Sequence, residues 1–182
     1  MPTIVCYNGG CFGDLITALI DTTDAVINNG TVIHNRSRLR LKEYFNFKSD
    51  HEKDDYLSNH TEYKSVASHD IKYHIKKRHP FIGIVTEDLN VALQLSIRFL
   101  KLKEEVYNIT DTTNFKNVNE HANTILNSSK LIKTFSKRII TAESILAGTG
   151  LSDLGKLTDL DINSENFYNK WLKEQHAMQI NY

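Results

Sequence analysis

The sequence predicts an α/β protein: a parallel sheet with helices on both faces, entered through a P-loop-like strand, glycine loop and helix at its amino end. Three observations carry this reading. The runs Thr3–Tyr7 and Phe81–Val85 are short and almost continuously apolar or β-branched, as strands buried on both faces are. Each leads through a turn into apolar residues at helical spacing, Leu15–Ile20 after the first and Val91–Leu102 after the second. Only two prolines occur in 182 residues, which leaves long helices uninterrupted and disfavours a loop-heavy sandwich.

In chain order, Thr3–Tyr7 is the first strand and Asn8-Gly9-Gly10-Cys11-Phe12-Gly13 a glycine-dense loop. Asp14 is placed to cap the helix through Leu15–Ile20. Between Ala25 and Ile33, Asn29-Gly30 separates two short apolar runs, a hairpin signal; a helix broken by a tight turn is the alternative. Arg36–Phe47 interleaves cations with Leu39, Leu41, Tyr44 and Phe45, the pattern of a basic amphipathic helix. Ser49–Tyr63 is polar without periodicity and reads as a surface loop. Ser65–Ser68 is a short strand leading to His69-Asp70, and Ile71–Lys77 makes one or two helical turns that Pro80 stops.

Phe81–Val85 is the next strand, after which Thr86 or Asp88 caps a helix. A further helix is expected over Asn117–Ile140, with Val118, Ala122, Ile125, Ile132, Phe135 and Ile139 on one side. Gly148-Thr149-Gly150 breaks the chain, and Asn163 or Ser164 caps a last helix whose Phe167, Trp171 and Leu172 dock on the core. The expectation is one domain over 1–182, helical from about 114.

Composition narrows the function classes. Lys plus Arg and Asp plus Glu both number 22, so no global field holds a nucleic-acid backbone or an anionic membrane. No window reaches the roughly 18 apolar residues of a membrane span, and no basic segment precedes the first strand as a secretory signal would require. Cys6 and Cys11 lie too close in sequence to staple distant segments, which points to a reducing, cytoplasmic setting. Abundant Asn, Ile, Lys and Thr suggest an AT-rich genome such as a bacteriophage's, which would place the protein in host cytoplasm or virion.

Loops that follow parallel strands gather at the carboxyl edge of a sheet, where α/β proteins bind ligands. Three are expected there: Asn8–Asp14, Ser68–Ile71 and Thr86–Asn90. The glycine loop has backbone amides that can approach an anion, and the helix after it adds about half a positive charge; a tight strand-to-helix turn without ligand is the competing meaning. The nucleoside-triphosphatase P-loop pattern is absent, since the first lysine is Lys42, and Gly9, Gly10 and Gly13 miss the Gly-x-Gly-x-x-Gly spacing. His69 is the best candidate general base, with Asp70 to orient it; a surface or capping histidine is the plain alternative.

Cys11, near a helix N-terminus, is a candidate thiolate nucleophile or a buried structural cysteine. His51, His60, His74 and His79 lie in polar stretches, and neither they nor the cysteines have the spacing of a metal site. Arg36–Lys42 reads as a solvated face or a contact for a phosphate-bearing partner, and the Trp171 cluster as a core dock or an oligomer contact.

The order of these elements, with Ser65–Asp70 and Pro80–Leu93 as its middle and later blocks, resembles the P-loop sulfotransferase fold over about residues 3–105. In that family an Arg-x-Pro-x-Asp-x-x-x-Ser segment after the later strand binds the 3′-phosphate of 3′-phosphoadenylyl sulfate. Thr86, Asp88, Asn90 and Gln94 stand at the Arg, Pro, Asp and Ser places here. The resemblance implies a phosphorylated nucleotide or sulfonate donor held by Asn8, Gly9, Gly10, Cys11, Phe12, Gly13, Asp14, Thr86 and Asn90, with His69 deprotonating the acceptor. Gly9, Gly10 and Cys11 stand where the family keeps a cation, so Arg36, Arg38, Arg40 or Arg98 would have to supply it. The alternative is a catalytically inactive copy of the fold, associated with a virion or a host protein, or forming a homo-oligomer.

Overall fold

Apolar and β-branched residues build four of the sheet's strands: β1 (Thr3–Cys6), β5 (Ser65–Ser68), β6 (Phe81–Val85) and β7 (Ile139–Thr141). With the two-residue β4 (Arg40–Leu41) they form a sheet ordered β4-β5-β1-β6-β7 in which every pairing is parallel. The computed structural model describes residues 2–21, 25–28, 31–34, 40–41, 47–60, 63–107, 110, 113–160 and 163–179. The α/β expectation therefore holds: a parallel sheet flanked by helices.

Register follows the pleat. Ile4, Cys6, Val66, Phe81 and Val85 join one apolar cluster with Leu57, Ile71, Tyr73 and Ile132; Val5, Ala67, Ile82, Ile84 and Ile140 join another with Leu15, Leu19, Ala122 and Trp171. The helices are α1 (Gly13–Asp21), α2 (Asp50–Ser58), α3 (Ile71–Lys77), α4 (Leu89–Tyr107), α5 (Phe115–Phe135), α6 (Ala142–Leu146), α7 (Gly150–Gly155) and α8 (Ser164–Gln179). α5 crosses β6 at Gly83, where an added Cβ would meet Ile132 Cγ2 at 2.1 Å, so only glycine lets helix and strand approach this closely. Among the described residues from 114 onward, every element apart from β7 is a helix.

Several local expectations are met. Ala25–Asn28 (β2) and Thr31–His34 (β3) pair antiparallel as the hairpin. Asp88 caps α4 by accepting the Asn90 and Val91 N–H groups at 2.7 and 3.2 Å. Trp171 is fully buried and docks α8 against Phe12, with Tyr168 of the same helix stacked beside it.

Others are corrected. The expected surface loop Ser49–Tyr63 contains α2, capped by Ser49 Oγ accepting the Glu52 N–H at 3.2 Å. Its polar sequence hid it, because α2 docks on α3 through charges: Lys53 with Asp70, Asp50 with Lys76, and Asp54 with Lys77 and the Tyr73 hydroxyl. The expected helix Asn117–Ile140 ends at Phe135. Ser136 turns extended there, its hydroxyl donates to the Phe81 carbonyl at 2.8 Å, and Ile139 enters β7 beside Gly83. Of the expected basic helix Arg36–Phe47, Arg40–Leu41 is strand, Phe47 lies before α2, and the remainder falls outside the described residues.

Candidate functional site

β1 lies in the middle of the sheet, so its loop emerges at the centre of the carboxyl edge, between the ends of β5 and β6. Asn8 shapes that loop. Its side-chain oxygen accepts the Gly9 N–H at 2.8 Å, its carbonyl accepts the Cys11 N–H at 3.0 Å, and its amide donates to Ser128 Oγ at 3.2 Å. Gly10 has φ +88° and Phe12 φ +58°, backbone that turns the chain from β1 into α1. Ile16 N–H donates to the Phe12 carbonyl at 3.0 Å, so the amides of Gly13, Asp14 and Leu15 precede the first turn's bonding.

Close packing explains two of the glycines. A Cβ on Gly10 would lie 2.9 Å from the Leu95 carbonyl of α4, and one on Gly13 2.1 Å from the Tyr7 ring. Asp14 is the second residue of α1 and not its cap: its carboxylate accepts the Tyr7 hydroxyl at 2.9 Å. The expectation of an Asp14 cap is corrected accordingly, because the helix already starts at Gly13.

A cavity of about 170 Å³ opens against this loop. Gly9, Gly10, Phe12, Gly13 and Asp14 form its floor, with Tyr7 and His69 from the ends of β1 and β5. Arg98, Phe99 and Leu102 of α4, Thr31 and Val32 of β3 and Trp171 of α8 close it. The Tyr7 and His69 rings meet edge to face, centroids 4.6 Å apart, which fixes the imidazole over the loop.

Among the described residues, Arg98 brings the cation of this wall. Its Nη1 donates to Gln175 Oε1 at 2.6 Å, and its guanidinium carbon lies 5.2 Å from the centre of the Phe12 ring. Burial lowers its pKa to about 10, so it remains a cation at neutral pH. Of the four arginines considered for the missing charge, Arg98 is the one that reaches the cavity among the described residues.

The remaining sequence-selected residues lie elsewhere. Asn8 and Cys11 shape the loop without lining the cavity. Cys11 is buried, and desolvation pushes its thiol up to about 12, so it is no thiolate nucleophile. Asp70 caps α3 by accepting the Tyr73 N–H at 3.1 Å and pairs with Lys53, so its carboxylate serves the α2–α3 contact. Thr86 is buried; its hydroxyl bonds Glu143 and its N–H donates to Ser129 Oγ at 3.0 Å. Asn90 is exposed in the first turn of α4.

One constellation escaped the sequence reading. His74, fully buried, meets Ser68 Oγ through Nε2 at 2.8 Å and His79 Nδ1 through its own Nδ1 at 3.2 Å. Burial, with the neighbouring His79, lowers His74 to about 3 and keeps it neutral. The i,i+6 separation of Ser68 and His74 carries no periodic signal across a strand-to-helix turn. Comparison of the chain with protein-family models, with curated proteins and with solved structures gives no match.

Proposed function

We propose that this protein binds the anionic end of a phosphorylated or sulfonated small molecule in the cavity beside the glycine loop. The observation that carries this is the convergence of Arg98 with Gly9, Gly10 and Gly13 on one cavity at the carboxyl edge of a parallel sheet. Guanidinium donors and first-turn amides together suit a tetrahedral anion, and low-dielectric aromatic walls strengthen both. Group transfer from a donor such as 3′-phosphoadenylyl sulfate is the reaction the reading favours. His69, held by Tyr7, would take the acceptor hydroxyl's proton while Arg98 and the amides stabilise the transferring group.

The test is a thermal-shift titration of the full chain with adenosine 3′,5′-bisphosphate, inorganic sulfate and inorganic phosphate. Ligand at a hundred times its Kd stabilises by about 2.7 kcal/mol, roughly 5–10 °C for a chain of this length. The shift should vanish in Arg98→Gln and survive in part in Arg98→Lys. No shift with any of the three ligands sinks the proposal. Valine at Gly10 or Gly13 is a poor probe, because those side chains would collide with α4 and Tyr7 whether or not a ligand binds.

One observation favours the second reading, an inactive copy of the fold used as an interaction protein. The segment expected to hold a 3′-phosphate carries acid: Glu143 bonds Thr86, and Glu87, paired with Lys133, and Asp88 follow it. Binding of sulfate or phosphate without any sulfonate transfer, together with co-purification in a defined oligomer or particle, would support that reading.

A further inference from the structure

Helix α3 ends in a cap that carries titratable rings where apolar packing is usual. Arg78 makes a left-handed turn at φ +56°; its N–H donates to the Ile75 carbonyl at 3.1 Å, and the His79 N–H donates to the His74 carbonyl at 3.0 Å. In a cap of this kind the residue after the turn folds back on the residue five before it, and that contact is ordinarily hydrophobic. Here both residues are histidines. Their Nδ1 atoms are 3.2 Å apart and their ring centres 5.5 Å, a difference that two ring radii supply, so the nitrogens point at each other with one proton between them. Tyr73 packs its ring edge to face against both.

Ser68 decides which ring owns that proton. At the end of β5 its Oγ accepts the Asp70 N–H at 3.1 Å and meets His74 Nε2 at 2.8 Å; among the described residues its hydroxyl proton has no other acceptor. Ser68 is fully buried, so satisfying the hydroxyl requires donation to Nε2. This network assigns the His74 proton to Nδ1, from which it is donated to His79 Nδ1. An added proton goes to the half-buried His79 before the fully buried His74, which burial and the facing His79 hold at about 3. Lys53 of α2 and Asp70 of the β5–α3 turn face His74, and Asp54 of α2 and Lys77 of α3 face His79. α5 meets this side of α3 with the uncharged Leu131 and Ile132.

We propose that Ser68, His74 and His79 form a proton-sensing chain, in which protonation of His79 shifts the His74 proton from Nδ1 to Nε2 and reverses both hydrogen bonds. One proton is taken from solvent. His79 then donates through Nδ1, His74 stays neutral, and Ser68 Oγ accepts from His74 where it had donated. The chain joins the cap of α3 to the residue before His69, so acidity at the end of α3 is read at the carboxyl end of β5. It does not depend on anion binding in the neighbouring cavity.

The test is long-range nitrogen–proton NMR of the isotope-labelled full chain, from about pH 8 down to about pH 5, across the usual imidazole range. Protonated and unprotonated ring nitrogens have well-separated shifts, which gives the tautomer of each histidine. At the upper end His74 should carry its proton on Nδ1 and His79 on Nε2. Once His79 holds two protons, the two His74 nitrogen shifts should have exchanged places, with the midpoint of His79's own titration. In His79→Phe, which restores the ordinary apolar contact of such a cap, His74 should keep one tautomer throughout. A His74 proton on Nε2 at the upper end overturns the chain at its first step. A His74 tautomer unchanged while His79 titrates, a His79 that stays neutral until the protein unfolds, or an exchange at His74 that persists in His79→Phe overturns the switch.

Discussion

His74 predicts a pH dependence of stability that can be worked through. The folded protein holds this imidazole at about 3, below its ordinary value near 6.5, because burial and the facing His79 disfavour the charged form and Lys53 adds to them, against a smaller opposing pull from Asp70. The unfolded chain therefore binds more protons between these values, and stability falls as pH drops through 6.5. Linkage costs about 1.4 kcal/mol per pH unit once below that value, so going from pH 7.5 to 5.0 should remove about 2 kcal/mol, or roughly 4–8 °C in Tm. His79 and His121, also lowered by desolvation, push the same way. Asp21, raised by burial, opposes them, while Asp50 and Asp54, lowered by their lysine partners, act mainly below pH 5. The assay is urea unfolding at pH 7.5, 6.5, 5.5 and 5.0 for the wild type and for His74→Gln. The variant should be less stable at pH 7.5, having lost bonds to Ser68 and His79, yet show a clearly shallower slope between pH 6.5 and 5.0. A flat wild-type profile, or equal slopes in both proteins, would refute a neutral buried His74.

Three other outcomes follow from the packing and the buried groups. Gly83→Ala should destabilise by about 1–3 kcal/mol through overpacking, and in Ile132→Ala the same change should cost much less, a coupling that a double-mutant cycle in urea measures. Cys6 and Cys11, both buried and both with raised thiol pKa, should react with an aromatic disulfide reagent at pH 8 only after unfolding, as a stopped-flow comparison of native and denatured protein would detect. Arg98→Met should change the unfolding free energy of the unliganded protein by no more than about 1 kcal/mol while abolishing any ligand-induced thermal shift; a large loss of intrinsic stability would make Arg98 a structural residue.

Strands β1 and β6, the hairpin and α4 were legible because each element's own sequence carries its signal: apolar runs for β1 and β6, Asn-Gly between β2 and β3, Asp88 before an apolar stripe. α2 was not, since its partner is the lysine face of α3 and pairing of charges across elements leaves no hydrophobic period. Ser49 followed by Glu52 was the available sign, a capping pair that the polar composition obscured. β7 was masked for the opposite reason. Ile139 continues the apolar stripe of α5, and only the bond from Ser136 to the Phe81 carbonyl shows that the chain has left the helix. In the site, the glycine loop and His69 could be picked out by position after strands. That Arg98 alone of the candidate arginines faces the loop among the described residues depends on how α4 packs over Gly9 and Gly10, a tertiary fact.

That packing links the neutral composition to the site. With 22 cations and 22 anions, attraction of an anionic ligand cannot come from the molecule as a whole and must come from local placement. Arg98 is placed where placement is costly: burial lowers its pKa to about 10, which means the surroundings work against its charge. Its bond to Gln175 and its contact with Phe12 are modest terms beside that cost. An anion arriving in the cavity would add to what holds such a cation, because the low dielectric that penalises the charge alone strengthens the pair.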